Sequence, residues 1–127
     1  MLTNEIFSEW IHFAEGDLEV AKHITTMHKP KYEISCYHCQ QCAEKALKAF
    51  LIFHFVQPKF IHDLVVLCSD CQEIDNSFAN LDESCYVLNQ YITNTRYPSS
   101  TELNEGDMEQ AIDFAEKVLT FVKERTS

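Results

Sequence analysis

The 127-residue sequence predicts an all-α fold, an up-and-down helical bundle of four to five helices that forms one domain over residues 1–127. Three observations carry that expectation. The chain has only two glycines and three prolines, too few for the many turns of an all-β fold. It is 46% hydrophobic and 24% charged, which argues against disorder and suffices for one buried core. Apolar residues recur at spacings of three and four, the repeat that gathers them on one face of a helix.

The first segment, residues 4–28, places Ile6, Phe7, Trp10, Ile11, Ala14, Leu18, Ala21 and Ile24 on one stripe, with Asn4 as its N-cap. Pro30 ends it. A second helix of similar length, residues 32–56, then implies an antiparallel pair joined by a short turn around His28 to Lys31. Gln57 and Pro58 break that helix. A third helix over 62–74 carries Leu64, Leu67, Cys68 and Cys71 on one side, with Asp63 in its first turn, where a negative charge suits the helix dipole.

Asp75, Asn76 and Ser77 are the next start signal, and Phe78, Leu81, Cys85, Leu88 and Ile92 predict a fourth helix over 78–95. Pro98 ends it near Thr95, and PSSTELNEGD (98–107) is a loop. The fifth helix follows with Met108, Ala111, Ile112, Ala115, Val118, Leu119 and Val122. Its acids come early, and Lys117, Lys123 and Arg125 come late, the order the dipole favours.

The second helix has an unusual division of faces. Gln41, Glu44 and Lys48 share one side, opposite Cys36, Cys39, Ala43, Ala46, Leu47 and Phe50. Toward its end, ALKAFLIFHFV (46–56), Leu51, Ile52 and Phe55 fall on the formerly polar face. A helix end that is apolar all round needs cover, either from the third helix of the same chain or from a second subunit.

Charge narrows the function classes. With a net charge of -10 and a pI of about 4.9, the chain is repelled as a whole by a phosphate backbone, and no DNA binding is expected. Residues 102–116 hold six acids and no base, read as a solvated helix face. There is no signal-peptide pattern and no long apolar run, so no membrane span and a cytoplasmic location are expected. The six cysteines are accordingly expected as reduced thiols.

Cys36-x2-Cys39-x2-Cys42 and Cys68-x2-Cys71 have the spacing of zinc ligands, but they lie inside helical periodicity, where cysteine serves as a small buried hydrophobe. Cys39, Cys68 and Cys71 are the candidates if a metal is held. His62 and Asp63 read as a helix start or as an imidazole lining an anion-binding cleft. Arg96 reads as a helix-terminal cation or as a planar fork for phosphate or carboxylate. Glu44 and Lys48, taken alone, form an i,i+4 surface pair worth a few tenths of a kcal/mol.

The motifs DLEVAKHI (17–24), HCQQCAEKALKAFL (38–51), HDLVVL (62–67) and TRYP (95–98), followed by an amphipathic helix, occur in an order that resembles the HEPN domain family, the higher eukaryotes and prokaryotes nucleotide-binding domains. The resemblance spans about residues 8–122. It implies a helical bundle that forms homodimers and often pairs with a minimal nucleotidyltransferase, and members include toxin subunits of toxin–antitoxin pairs.

Some members resembling this chain are metal-independent ribonucleases, with an arginine and, after an interval of about four to six residues, a histidine. Here Arg96 is followed at those positions by Thr101, Glu102 and Leu103, so that histidine is missing. RNA cleavage through the 2′-hydroxyl needs proton-shuttling groups, and histidine is the side chain suited to it near neutral pH. The resemblance therefore implies a non-catalytic module. By its motifs, Gln41, Glu44, Lys45, Lys48, His62, Asp63, Arg96 and Tyr97 are expected to line a site for a nucleotide-like ligand or the nucleotidyltransferase partner, with no cofactor. A second reading is a ribonuclease with a degenerate site built on Arg96 and His62; a third is a helical metal protein using the cysteine pairs.

Overall fold

In the computed structural model, which describes residues 2–92 and 102–127, the chain forms α1 (Leu2–Ile24), α2 (Tyr32–Phe53), α3 (Leu64–Ile74), α4 (Asp82–Leu88) and α5 (Glu105–Glu124). Two short 3₁₀ turns, Asn76–Leu81 and Asn89–Tyr91, flank α4, and no strand occurs among the described residues. The helix count agrees with the sequence reading; several boundaries do not.

The second helix is the axis of the bundle, packed against α1, α5, α3 and α4. Small side chains allow that crowding. Cys36, Cys39, Cys42, Ala43, Ala46 and Ala49 are fully buried, so neighbouring helices approach its backbone closely. The antiparallel α1 comes near enough for the buried Ser35 hydroxyl to donate to the Ala21 carbonyl at 3.0 Å. The last helix runs antiparallel to α1, with Lys22 paired to Glu116 and Lys123 to Glu15. Because α2 is surrounded, its polar row is drawn inward along with its apolar one, which the amphipathic pattern alone did not imply.

Helix α1 begins at Leu2, so Asn4 lies within it rather than capping it. It stops at Ile24, short of the expected residue 28. There the Thr25 and Thr26 hydroxyls donate back to the Lys22 and His23 carbonyls at 2.6 and 2.7 Å, and backbone bonds tighten to i→i−3 spacing. Helix α2 likewise ends at Phe53 rather than residue 56. The Val56 N–H bonds to the Leu51 carbonyl and the Phe55 N–H to the Ile52 carbonyl, both at 2.9 Å, closing a Schellman motif.

The left-handed residue of that motif, where glycine is usual, is Phe55, with φ of 62°. A Cβ in this conformation costs about 1–2 kcal/mol. Replacing Phe55 with glycine is expected to raise unfolding stability by about 1 kcal/mol, read from the urea midpoint at constant m-value.

The expected fourth helix over 78–95 is instead a 3₁₀ turn, a two-turn α-helix and another 3₁₀ turn, and its last part lies outside the described residues. Asp75 starts it by accepting from the Ser77 N–H and hydroxyl at 2.9 and 2.6 Å. Three residues per turn place Phe78 and Leu81 on the same side, and both are fully buried. Phe78 packs against Phe50 and Phe121, with ring centroids 4.3 and 4.9 Å away. Ile92, assigned to the apolar stripe by spacing, is exposed.

All six cysteines are free and buried. Loss of solvent around a thiolate pushes the Cys42 thiol up to about 12, and the same cause raises Cys39 and Cys71 further. Iodoacetamide near pH 8 is therefore expected to leave Cys39, Cys42 and Cys71 unmodified in the native protein and to alkylate them after denaturation, as read by peptide mass spectrometry.

Candidate functional site

Four of the side chains singled out by sequence converge where α2 passes the start of α3. Glu44 is the centre. One carboxylate oxygen accepts from the Lys48 ammonium at 3.1 Å, and the His62 Nδ1 approaches both oxygens at 3.0 and 3.1 Å. A nitrogen facing a carboxylate at that distance carries a proton, so Nδ1–H donates and Nε2 is left to the other side of the ring.

The network continues through a residue the sequence reading passed over. Gln40 is fully buried; its Nε2 donates to the His62 carbonyl at 2.9 Å and, more weakly, to Glu44 at 3.4 Å. Its own Oε1 accepts from Gln41 Nε2 at 2.8 Å. Gln40 thus fixes the backbone of His62 while Glu44 fixes its ring.

Burial changes what these groups can do. Glu44 and Lys48 are 4% and 7% exposed, so they form a buried pair rather than the surface pair their i,i+4 spacing implies. Glu44 already holds three partners on its oxygens and is not free as a general base. His62 differs, with its ring two-thirds exposed and its orientation set from beneath.

Asp63 does not join this network. It is the N-cap of α3, not a first-turn residue, and accepts from the Val65 and Val66 N–H groups at 2.9 and 3.2 Å. Asn89 braces the same corner, accepting from Leu64 N–H at 2.9 Å and donating to Asp63 at 3.2 Å. The HD pair is thereby held from both sides, His62 by α2 and Asp63 by the end of α4.

Lys45 lies elsewhere. Its ammonium meets Asp17 of α1 at 2.6 Å, and the other Asp17 oxygen takes His38 Nδ1 at 2.9 Å. Asp17, 9% exposed, is a second buried carboxylate with two α2 partners. Its signal was present in the sequence, as an acid three residues after Ala14 and four before Ala21 inside the apolar stripe. Arg96 and Tyr97, and with them the corner that Arg96 was expected to complete, lie outside the described residues.

The cysteine candidates do not assemble into a metal centre. Among the described residues no group of three or more His, Cys, Asp or Glu side chains is placed to hold an ion. Cys71 Sγ donates to the Leu47 carbonyl at 3.6 Å and Cys68 Sγ to the Phe78 carbonyl at 3.4 Å, so these thiols are engaged by backbone in the core.

This arrangement, a five-helix bundle in which the motifs QQxxEKxxK and HD meet at one corner, defines a class of helical domain. The HEPN domain family matches residues 7–125, and the chain belongs to it. It is 32% identical over 135 residues to the candidate toxin MJ1304 of Methanocaldococcus jannaschii, an alignment that covers 91% of this chain and 84% of that protein. Two solved structures share the fold. One is ST0689, an archaeal HEPN homologue, at a TM-score of 0.75 and 28% identity over 95% of this chain and 98% of that one. The other is TT1696 from Thermus thermophilus, at 0.78 and 28% identity over 93% and 96%. No helix among the described residues is long and apolar enough to cross a membrane.

Proposed function

We propose that this HEPN protein is the non-catalytic, toxin-like member of a two-component pair, acting as a homodimer, and that the corner where α2 meets α3 receives a nucleotide-like ligand or a minimal nucleotidyltransferase partner. The observation that carries the reading is His62. An exposed imidazole whose orientation is fixed by the buried Glu44 and Gln40 presents its Nε2 edge to an incoming ligand at a fixed position, and rigidity of this kind reduces the cost of binding. Similarity to the candidate toxin supports the two-component setting. The lack of a histidine at 101–103 supports a binding role over RNA cleavage.

Thermal unfolding of the purified protein with ATP, GTP, AMP or phosphate tests the ligand. At about 100 times its dissociation constant a ligand adds roughly 2.7 kcal/mol, a rise of about 10 °C for a domain of this size. The rise is expected to shrink in His62→Ala, whose exposed side chain is dispensable for folding. No rise with any of the four, together with no co-purification of a co-expressed minimal nucleotidyltransferase, would overturn the proposal. RNA cleavage that Arg96→Ala abolishes would replace it with the ribonuclease reading.

A further inference from the structure

We infer that the cleft between the N-terminal half of α1 and the turn leaving α2 is a binding site for a small planar aromatic anion, best matched by a nucleoside monophosphate. This rests on the ligand-binding reading above and gives the ligand a second wall, distinct from Gln41, His62 and Asp63. The cleft measures about 490 Å³, within the size range of small-molecule sites. Ile6 and Trp10 of α1, Lys48 and Ile52 of α2, and Phe55 and Phe60 beyond it are among the lining residues.

Three observations give the occupant its chemistry. The first is exposed aromatic surface. Phe60 is 98% and Phe55 84% exposed, large apolar faces that the bundle leaves to solvent in the lining that also holds Trp10. Phe55 is held outward by a left-handed backbone that disfavours any side chain, and strain of this kind collects at ligand clamps. Three aromatic side chains in one lining suit a flat ligand.

The second is charge. In a chain of net charge -10, the cleft lining among the described residues includes Lys48 and Lys59 and no carboxylate. The third is spare donor capacity. Among the described residues the Lys48 ammonium has Glu44 as its one hydrogen-bond acceptor, which leaves two N–H groups of a 7% exposed cation for the cleft. That ammonium lies 5.8 Å from the centre of the Trp10 ring, so a base stacked on Trp10 brings a phosphate attached to it within reach of Lys48. Lys59, at the solvent edge and paired only loosely with Asp70 at 3.3 Å, can turn to the same anion. A purely apolar ligand would leave Lys48 facing grease, and inorganic phosphate would leave the rings wet.

Trp10 is the only tryptophan, so its fluorescence reports on its own surroundings, and the Phe60 and Lys59 variants assign a response to this cleft rather than to the neighbouring hollow lined by Glu9, Phe13 and Lys45. AMP is expected to quench it saturably, with adenosine and ribose 5-phosphate each binding about tenfold more weakly, because each lacks one of the two contacts. Phe60→Ala and Lys59→Ala, both at exposed positions, are expected to weaken AMP about tenfold without altering unfolding. Phe55→Gly should weaken AMP while making the protein more stable, an opposition that a purely structural role would not produce. Absence of saturable quenching by AMP, GMP, CMP and UMP, or an unchanged AMP affinity in Phe60→Ala, would overturn the inference. If a His62-sensitive thermal shift persists while Trp10 is silent, the proposed function stands and this cleft falls; silence in both removes both. A silent Trp10 combined with a dimer that Phe60→Ala converts to monomer, seen by light scattering, would overturn the ligand in favour of a second copy of the chain.

Discussion

Glu44→Ala is expected to destabilise the protein by about 3–5 kcal/mol, seen as a lower urea midpoint at unchanged m-value. The reason is what it leaves behind. Lys48 would remain with its side chain 8% exposed and no counter-charge, and an unpaired buried ammonium is far costlier than the pair it came from. His62 adds little to this loss, since its ring is two-thirds exposed and water can replace the carboxylate. Gln40 keeps its main acceptor, the His62 carbonyl. Against a total stability of about 5–15 kcal/mol the change is severe. The double replacement Glu44→Leu with Lys48→Met should recover most of it, because an apolar pair of similar volume removes both charges together. A loss below about 1 kcal/mol in Glu44→Ala would mean that the pair is solvated and the corner open.

Asp17→Ala is expected to cost about 2–4 kcal/mol, measured in the same way. Asp17 is held by His38 at 2.9 Å and Lys45 at 2.6 Å, and both partners come from α2, so the carboxylate clamps α1 to the central helix. The effect is smaller than at Glu44 because the His38 and Lys45 side chains are about one-quarter exposed and recover hydration when abandoned. Asp17→Asn, which keeps the shape and one acceptor, should fall between wild type and Asp17→Ala. Equal losses in the two variants would show that charge, not geometry, holds the clamp.

The helices were legible because periodicity reports on one-sided burial, and α1, α3 and α5 are buried on one side. It misreports a helix that is buried all round. Gln41, Glu44 and Lys48 were correctly placed on one face of α2, but spacing cannot tell a wall open to solvent from one pressed against the start of α3. The link between Glu44 and His62, eighteen residues apart, depends on the direction in which the chain leaves Pro58, which no local pattern encodes. Asn89 and Gln40 escaped for a related reason, since each is an ordinary polar residue until the backbone it holds comes beside it. The fourth helix misled because Phe78 and Leu81 fit a 3.6-residue repeat as well as a 3.0-residue one. Asp17 was readable, and an acid within an apolar stripe is a signal for a buried ion pair.

The six sealed thiols also set how the protein fails. Folded, they are shielded because burial keeps reagents out, and at Cys39, Cys42 and Cys71 it also suppresses the thiolate. Unfolded, Cys39, Cys42 and Cys71 return to ordinary acidity at once, and all six thiols meet solvent on a chain where Cys36, Cys39 and Cys42 are near neighbours able to form disulfides absent from the native protein. In the absence of reductant, heating is then a one-way passage in which scrambled chains cannot re-enter the bundle. The lifetime of the protein in air is governed by the rate at which α2 first opens rather than by the equilibrium between folded and unfolded forms.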